Sequence, residues 1–125
     1  MTAGWIGVDL DCTLCYFQDG QDLWTLGEPL APMVERVKGW LAEGKDVRIF
    51  TARVAVTGHT TPQGNQDNED FARRQRVVIE EWCRVHLGSV LPITATKDYQ
   101  MLELWDDRCV QMVANTGLTI LQSPV

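Results

Sequence analysis

One short apolar run that ends in two aspartates constrains this chain more than any other stretch. Ile6-Gly7-Val8-Asp9-Leu10-Asp11-Cys12-Thr13-Leu14 reads as a buried parallel strand running into a turn, with carboxylates at i and i+2 where the strand stops. The two-residue period of a strand can bring both to one side of the chain. Two carboxylates about 4 Å apart repel by on the order of 4 kcal/mol at an effective dielectric near 20, so a fold that forces them together supplies a cation or a shared proton. The plainer reading is a strand end whose aspartates cap the next turn.

The rest of the chain weighs on that choice. Its 125 residues, 45% of them hydrophobic, suit one domain over residues 1–125 with little left for a second domain or a large lid. No apolar run approaches the roughly 20 residues needed to span a membrane, and Met1 to Gly4 lead straight into the first strand without a basic, apolar targeting segment. A cytoplasmic protein is expected. A net charge of −6 argues against broad capture of extended nucleic acid, which needs a basic face. Four scattered cysteines, Cys12, Cys15, Cys83 and Cys109, do not make a disulfide scaffold, and Cys12-Thr13-Leu14-Cys15 lacks the second ligand pair that zinc would want.

Further along, Asp19-Gly20 between Tyr16, Phe17, Leu23, Trp24 and Leu26 predicts a small hairpin flap whose aromatics either wall a pocket or pack on the core. Pro29 opens a helical pattern through Met33, Val37, Trp40 and Leu41 that Gly44 closes. Val47 to Phe50 is a second strand, leading to Thr51-Ala52-Arg53, a hydroxyl and a guanidinium that suit phosphate oxygens. A turn-rich stretch from Val54 to Asn65 carries the lone His59, expected to be solvated. Asp67 to Leu87 reads as the longest helix, with Phe71, Val78, Trp82 and Val85 inward, Arg73, Arg74 and Arg76 on exposed turns, and Gly88 as its stop. Val90 to Thr94 is a third strand followed by Lys97, and Leu102 to Trp105 a fourth that ends in Asp106-Asp107-Arg108. Cys109 to Asn115 is expected as a short helix closed by Gly117, with a last strand at Leu118 to Leu121.

Strands alternating with helices predict a Rossmann-like, three-layer α/β/α architecture around a central parallel sheet. The carboxyl ends of parallel strands share one edge, so Asp9 and Asp11, Thr51 and Arg53, Lys97, and Asp106 and Asp107 should converge. Four carboxylates against one lysine and one arginine leave a surplus of negative charge that a hard divalent cation such as Mg2+ would offset.

In that order and at those strand ends, Asp9-Leu10-Asp11-Cys12-Thr13-Leu14, Thr51, Lys97 and Asp106-Asp107 resemble the four motifs of the haloacid dehalogenase superfamily of phosphohydrolases. Thr51-Ala52-Arg53 and Trp105-Asp106-Asp107-Arg108 are also similar, over fewer residues, to the 3′-phosphatase domain of polynucleotide kinase. The superfamily usually has Gly where Cys12 stands, which frees the backbone that faces the phosphate. The short flap and the segment from Arg53 to Lys97 leave no room for a large cap domain, so an open site is expected.

The resemblance implies a Mg2+-dependent phosphomonoester hydrolase. Asp9 would attack phosphorus and form an aspartyl-phosphate, and Asp11 would act as general acid and then base. Asp9, the Asp11 main-chain carbonyl, Asp106 and Asp107 would hold the metal, with Thr51 donating to the phosphoryl group and Lys97 offsetting its charge. Cys12, Thr13 and Arg53 would face the substrate, a phosphorylated small molecule or nucleotide, a polynucleotide 3′-phosphate end included. A response-regulator receiver uses similar residues, but the position of Lys97 before the second acidic pair disfavours it. A non-catalytic phosphate- or nucleotide-binding module on the same fold is the alternative.

Overall fold

The computed structural model describes residues 3–56 and 68–122; His59 and the stretch around it lie outside the described residues. Four strands form one all-parallel sheet: β1 (Trp5–Asp9), β2 (Asp46–Phe50), β3 (Ile93–Thr94) and β4 (Met101–Trp105), in the spatial order β3-β2-β1-β4. Two helices complete it, α1 (Ala31–Ala42) and α2 (Asn68–Leu87). The fold class is α/β, and the strand order is compatible with a Rossmann-like arrangement. Among the described residues no helix is long and apolar enough to cross a membrane.

β1 is the central rail because it pairs on both sides, Asp9 opposite Phe50 of β2 and Val8 opposite Trp105 of β4. Alternate residues then point to opposite faces. Ile6, Val8, Val47 and Ile49 meet Met33, Val34 and Val37 of α1 and Ala72, Ile79, Trp82, Cys83 and Leu87 of α2 in one continuous core. Trp105 joins that face edge-on to Trp40, with the Arg36 guanidinium 4.9 Å from the centre of its ring. Both helices therefore cover the same face, and the layer of helix expected on the other side does not occur among the described residues.

Chain length explains the difference. The connection from β3 to β4 must return from one edge of the sheet to the other, and it has only residues 95–100 to do so. With strands about 4.8 Å apart and a rise of about 3.3 Å per residue, the diagonal is roughly 20 Å, and the segment covers it with only one turn, where Met101 N donates to Asp98 O at 3.1 Å. No helix fits. The strap is held instead by Trp5, whose main-chain N–H donates to Gln100 O at 3.0 Å and whose indole Nε1 donates to Asp98 Oδ1 at 2.8 Å. The Arg48 guanidinium lies 4.8 Å from the centre of the same indole, which is almost fully buried.

Local differences have equally specific causes. The first helix begins at Ala31 rather than Pro29, with Pro32 in its first turn and no side-chain cap on Leu30. Gly44 at φ +78° and Gly88 at φ +79° end the two helices as expected. The stripe that α2 buries runs Phe71, Ala72, Gln75, Ile79, Trp82, Cys83 and Leu87; Val85 is exposed and Val78 only half-buried. Sequence patterning rotated this helix because the stripe passes through a glutamine. The third strand is only Ile93–Thr94, with Val90 left exposed. The expected hairpin flap has no strands: Gly20 turns at φ +84°, and the loop is closed at its base by Tyr16 N donating to Glu28 O at 2.9 Å. Gly27 permits that closure, since a Cβ there would lie 1.9 Å from Tyr16 O.

The expected Cys109 to Asn115 helix and Leu118 to Leu121 strand are absent as well. Asn115 at φ +64° and Gly117 at φ +74° form a turn that pairs Met112 with Thr119, and a short 3-10 turn follows at Ile120–Gln122. These two residues, which close a helix in many chains, here reverse it.

Trp5→Phe keeps one aromatic ring but removes the indole donor and the pyrrole half of a buried side chain. It is expected to lower the stability measured by urea unfolding by about 1 kcal/mol, through loss of the bond that ties down the strap. An unchanged unfolding midpoint would show that the strap holds without it.

Candidate active site

Asp9 is the last residue of β1, and the chain turns sharply beyond it. Leu10 O accepts from the N–H groups of Leu14 and Cys15, each at 2.9 Å, and Cys12 N donates to Cys15 O at 2.8 Å. That turn places Cys12 at φ +70°, the left-handed region that costs a side-chain-bearing residue about 1 kcal/mol. A glycine there would adopt that backbone without the cost. Cys12 is exposed, Cys15 is buried with its thiol pushed up to about 12 by that burial, and both are free. Neither has the lowered thiol of a redox pair.

Asp9, Asp106 and Asp107 offer carboxylate oxygens that all lie within 4.8 Å of one another. β1 and β4 are neighbours, so residues distant in sequence end at the same edge. Thr13 pins the two ends together: its Oγ1 accepts from Asp107 N at 3.1 Å, with Asp9 Oδ2 at 3.4 Å and Asp107 Oδ1 at 3.3 Å as acceptors for its proton. Burial first, then the hydrogen bond with Asp107 and the charges of Asp106 and Asp107, push the Asp9 carboxyl up to about 7. Burial and two neighbouring carboxylates together disfavour its ionised form, which a bound cation would favour. Three hard oxygen donors in a half-buried cluster suit Mg2+.

Asp11 points elsewhere. Arg53 Nε donates to Asp11 Oδ2 and Nη2 to Asp11 Oδ1, both at 2.8 Å, a two-pronged ion pair whose guanidinium side is almost fully buried. Thr51, at the end of β2 and buried, accepts from Arg53 N at 3.2 Å through its Oγ1, which leaves its hydroxyl proton available. The Phe17 ring lies 5.9 Å from the Arg53 guanidinium carbon. Trp24, from the same loop, packs edge-on against Phe71 of α2 with ring centres 5.5 Å apart. The loop's aromatics therefore divide between walling the site and packing.

These groups surround a cavity of about 340 Å3 lined by Asp9, Asp11, Cys12, Phe17, Thr51, Arg53, Asp106 and Asp107 together with Phe50 and Arg108. Of the residues singled out from the sequence, Thr13 and Lys97 do not line it: Thr13 sits between Asp9 and Asp107 and borders a neighbouring hollow with Pro32, Met33 and Arg36. Lys97 is exposed on the β3–β4 strap, where its charge is felt at Cys109. Arg108 and Phe50 are lining residues to which the sequence assigned no role; each directly follows or precedes a motif residue, which is the signal that could have found them. Among the other arginines, Arg73 and Arg74 pair with Asp70 and Arg76 donates to Ile93 O, so they belong to α2 and not to the cavity.

Asp9→Asn removes a carboxyl from the cluster and one candidate metal donor. The thermal midpoint without divalent cations should rise by about 2–5 °C, while the rise that Mg2+ produces in the wild type should disappear. A midpoint that falls would mean the cluster is not under charge strain. Cys12→Gly should raise stability by up to about 1 kcal/mol by relieving the left-handed backbone; a loss in chemical unfolding would refute the strain. No protein-family model matches the chain, and neither does any curated protein or solved structure.

Proposed function

We propose that the protein is a Mg2+-dependent phosphomonoester hydrolase of the haloacid dehalogenase type that works through an aspartyl-phosphate on Asp9. The observation that carries this reading is the meeting of Asp9, Asp106 and Asp107 within 4.8 Å in a cavity that also holds Thr51 and Arg53. Asp9, Asp106 and Asp107 would hold the metal, which when bound supplies charge neutralisation and polarisation of phosphoryl oxygens.

The chain's own groups account for the steps. An oxygen of Asp9 attacks phosphorus in line, and the bond from phosphorus to the ester oxygen breaks. Asp11 gives its proton to that oxygen, the alcohol leaves, and Asp9 carries the phosphoryl group. Asp11 then takes a proton from water as the water attacks phosphorus, which releases inorganic phosphate and restores both carboxyl groups. Thr51 donates its hydroxyl proton to a phosphoryl oxygen. Arg53 and Arg108, the cations that line the cavity, offset phosphoryl charge, a role that the resemblance gives to Lys97. The substrate is a phosphorylated small molecule or a nucleotide, whose base Phe17 and Phe50 would meet on the cavity wall.

A second reading has specific support. Asp11 engaged by Arg53 and Cys12 in a glycine's conformation suit a phosphate- or nucleotide-binding module without turnover. A panel of phosphomonoesters, 3′- and 5′-nucleotides included, separates the two. Wild-type protein with Mg2+ should release phosphate and EDTA should stop it; Asp9→Asn should lower kcat/KM by at least about 1000-fold and Asp11→Asn by about 100-fold or more. If Mg2+ and a phosphorylated ligand bind yet nothing is hydrolysed, the binding module is the better account.

A further inference from the structure

Gln75 occupies a core position on α2, completely buried in the stripe that otherwise carries Phe71, Ala72, Ile79, Trp82 and Cys83. An amide there is kept only if its polar atoms are all engaged. They are: Oε1 accepts from Arg53 Nη1 at 2.9 Å, and Nε2 donates to Leu23 O at 3.0 Å. Leu23 O also accepts from Arg53 Nη1. One end of the guanidinium is thus tied to α2 and to the loop that follows the first motif, and its other edge, Nε and Nη2, faces the cavity.

That edge is the planar fork that fits two oxygens of a carboxylate or of a phosphoryl group equally well. In this structure Asp11 takes it. The Arg53 side chain is 6% exposed and the Asp11 side chain 26% exposed, so the carboxylate is the partner with room to move. We propose that Gln75 is a positioning residue that fixes the Arg53 fork as a seat for the substrate's phosphoryl group, and that the incoming phosphoryl group displaces Asp11 from it. This deepens the phosphatase reading and rests on it for the fate of Asp11: the exchange that seats the substrate also frees the carboxyl that must reach the leaving oxygen. A phosphomonoester, with three unesterified oxygens and a second negative charge, competes for the fork better than a diester, with two oxygens and one charge, does.

The test is a double-mutant cycle read by calorimetry with inorganic phosphate as the probe, in the presence of Mg2+. Gln75→Met, close in volume to the amide, should weaken phosphate about tenfold, and Arg53→Met at least as much. The double variant should bind no more weakly than Arg53→Met alone, because the amide acts only through the guanidinium. Gln75→Leu, run in parallel, keeps the cycle available if one replacement packs badly, and the Mg2+ affinity of every variant should stay within about threefold of the wild type. A purely structural ion pair predicts otherwise: the variants would melt earlier but bind phosphate as the wild type does, and that result overturns the proposal, as would additive losses or a wild type that does not bind phosphate. Hydrolysis assays on the same samples judge the parent reading separately. An intact cycle without turnover would remove the phosphatase and keep the seat, whereas turnover with unchanged KM in Gln75→Met would remove the seat and keep the phosphatase.

Discussion

Negative charge gathered at one edge of a parallel sheet is the constraint to which the rest of the molecule answers. Asp9, Asp106 and Asp107 converge because β1 lies between β2 and β4 with its register set against both, so neither strand can slip without scattering the carboxylates. The apolar face behind them, Ile6, Val8, Val47 and Ile49 against two helices, supplies the burial that holds the register in spite of the repulsion. The hydroxyl of Thr13 then sets the spacing at the tip, where the backbone of one strand end is bonded to the side chain of another. The charges that strain the fold here are the ones a cation would relieve.

The fork of Arg53 gives the site its second half. Of the four cavity carboxylates, three look toward one another and the fourth is balanced by a buried cation that reaches from the end of β2. That division separates one pole suited to a metal from another suited to an anion, both lining the same cavity. Phe17, beside the guanidinium, comes from the loop that Gly27 closes and Trp24 fastens to α2, so the anion pole depends on the packing of a segment that has no regular secondary structure.

Much of this was legible in the sequence, for definite reasons. The strand-end aspartates, Thr51 and Arg53, and the acidic pair after Trp105 stand out because short apolar runs ending in polar groups have few other interpretations. The two main helices were legible through their spacing and their terminal glycines. What escaped was whatever depends on neighbours in space. Gln75 is invisible to a hydrophobic pattern, and its presence in the buried stripe is why Val78 and Val85 were taken as inward. The tail beyond Arg108 was read as helix because Asn115 and Gly117 serve both helix ends and reversals, and only the pairing of Met112 with Thr119 decides between them. Lys97 illustrates the remaining gap: position after a strand locates a backbone, whereas the direction of a long side chain is set by what surrounds it.

The strap between β3 and β4 has a further consequence. A connection this short acts as a ruler, because its length limits how far along the sheet β4 can retreat or advance and hence where Asp106 and Asp107 come to rest beside Asp9. Surface loops are ordinarily free to lengthen and shorten, and this one is free in one direction only. Residues can be added to it without moving the strands, whereas a deletion would drag the acidic pair back from its partner; the spacing of the carboxylates is therefore written into a chain segment that crosses the other face of the sheet.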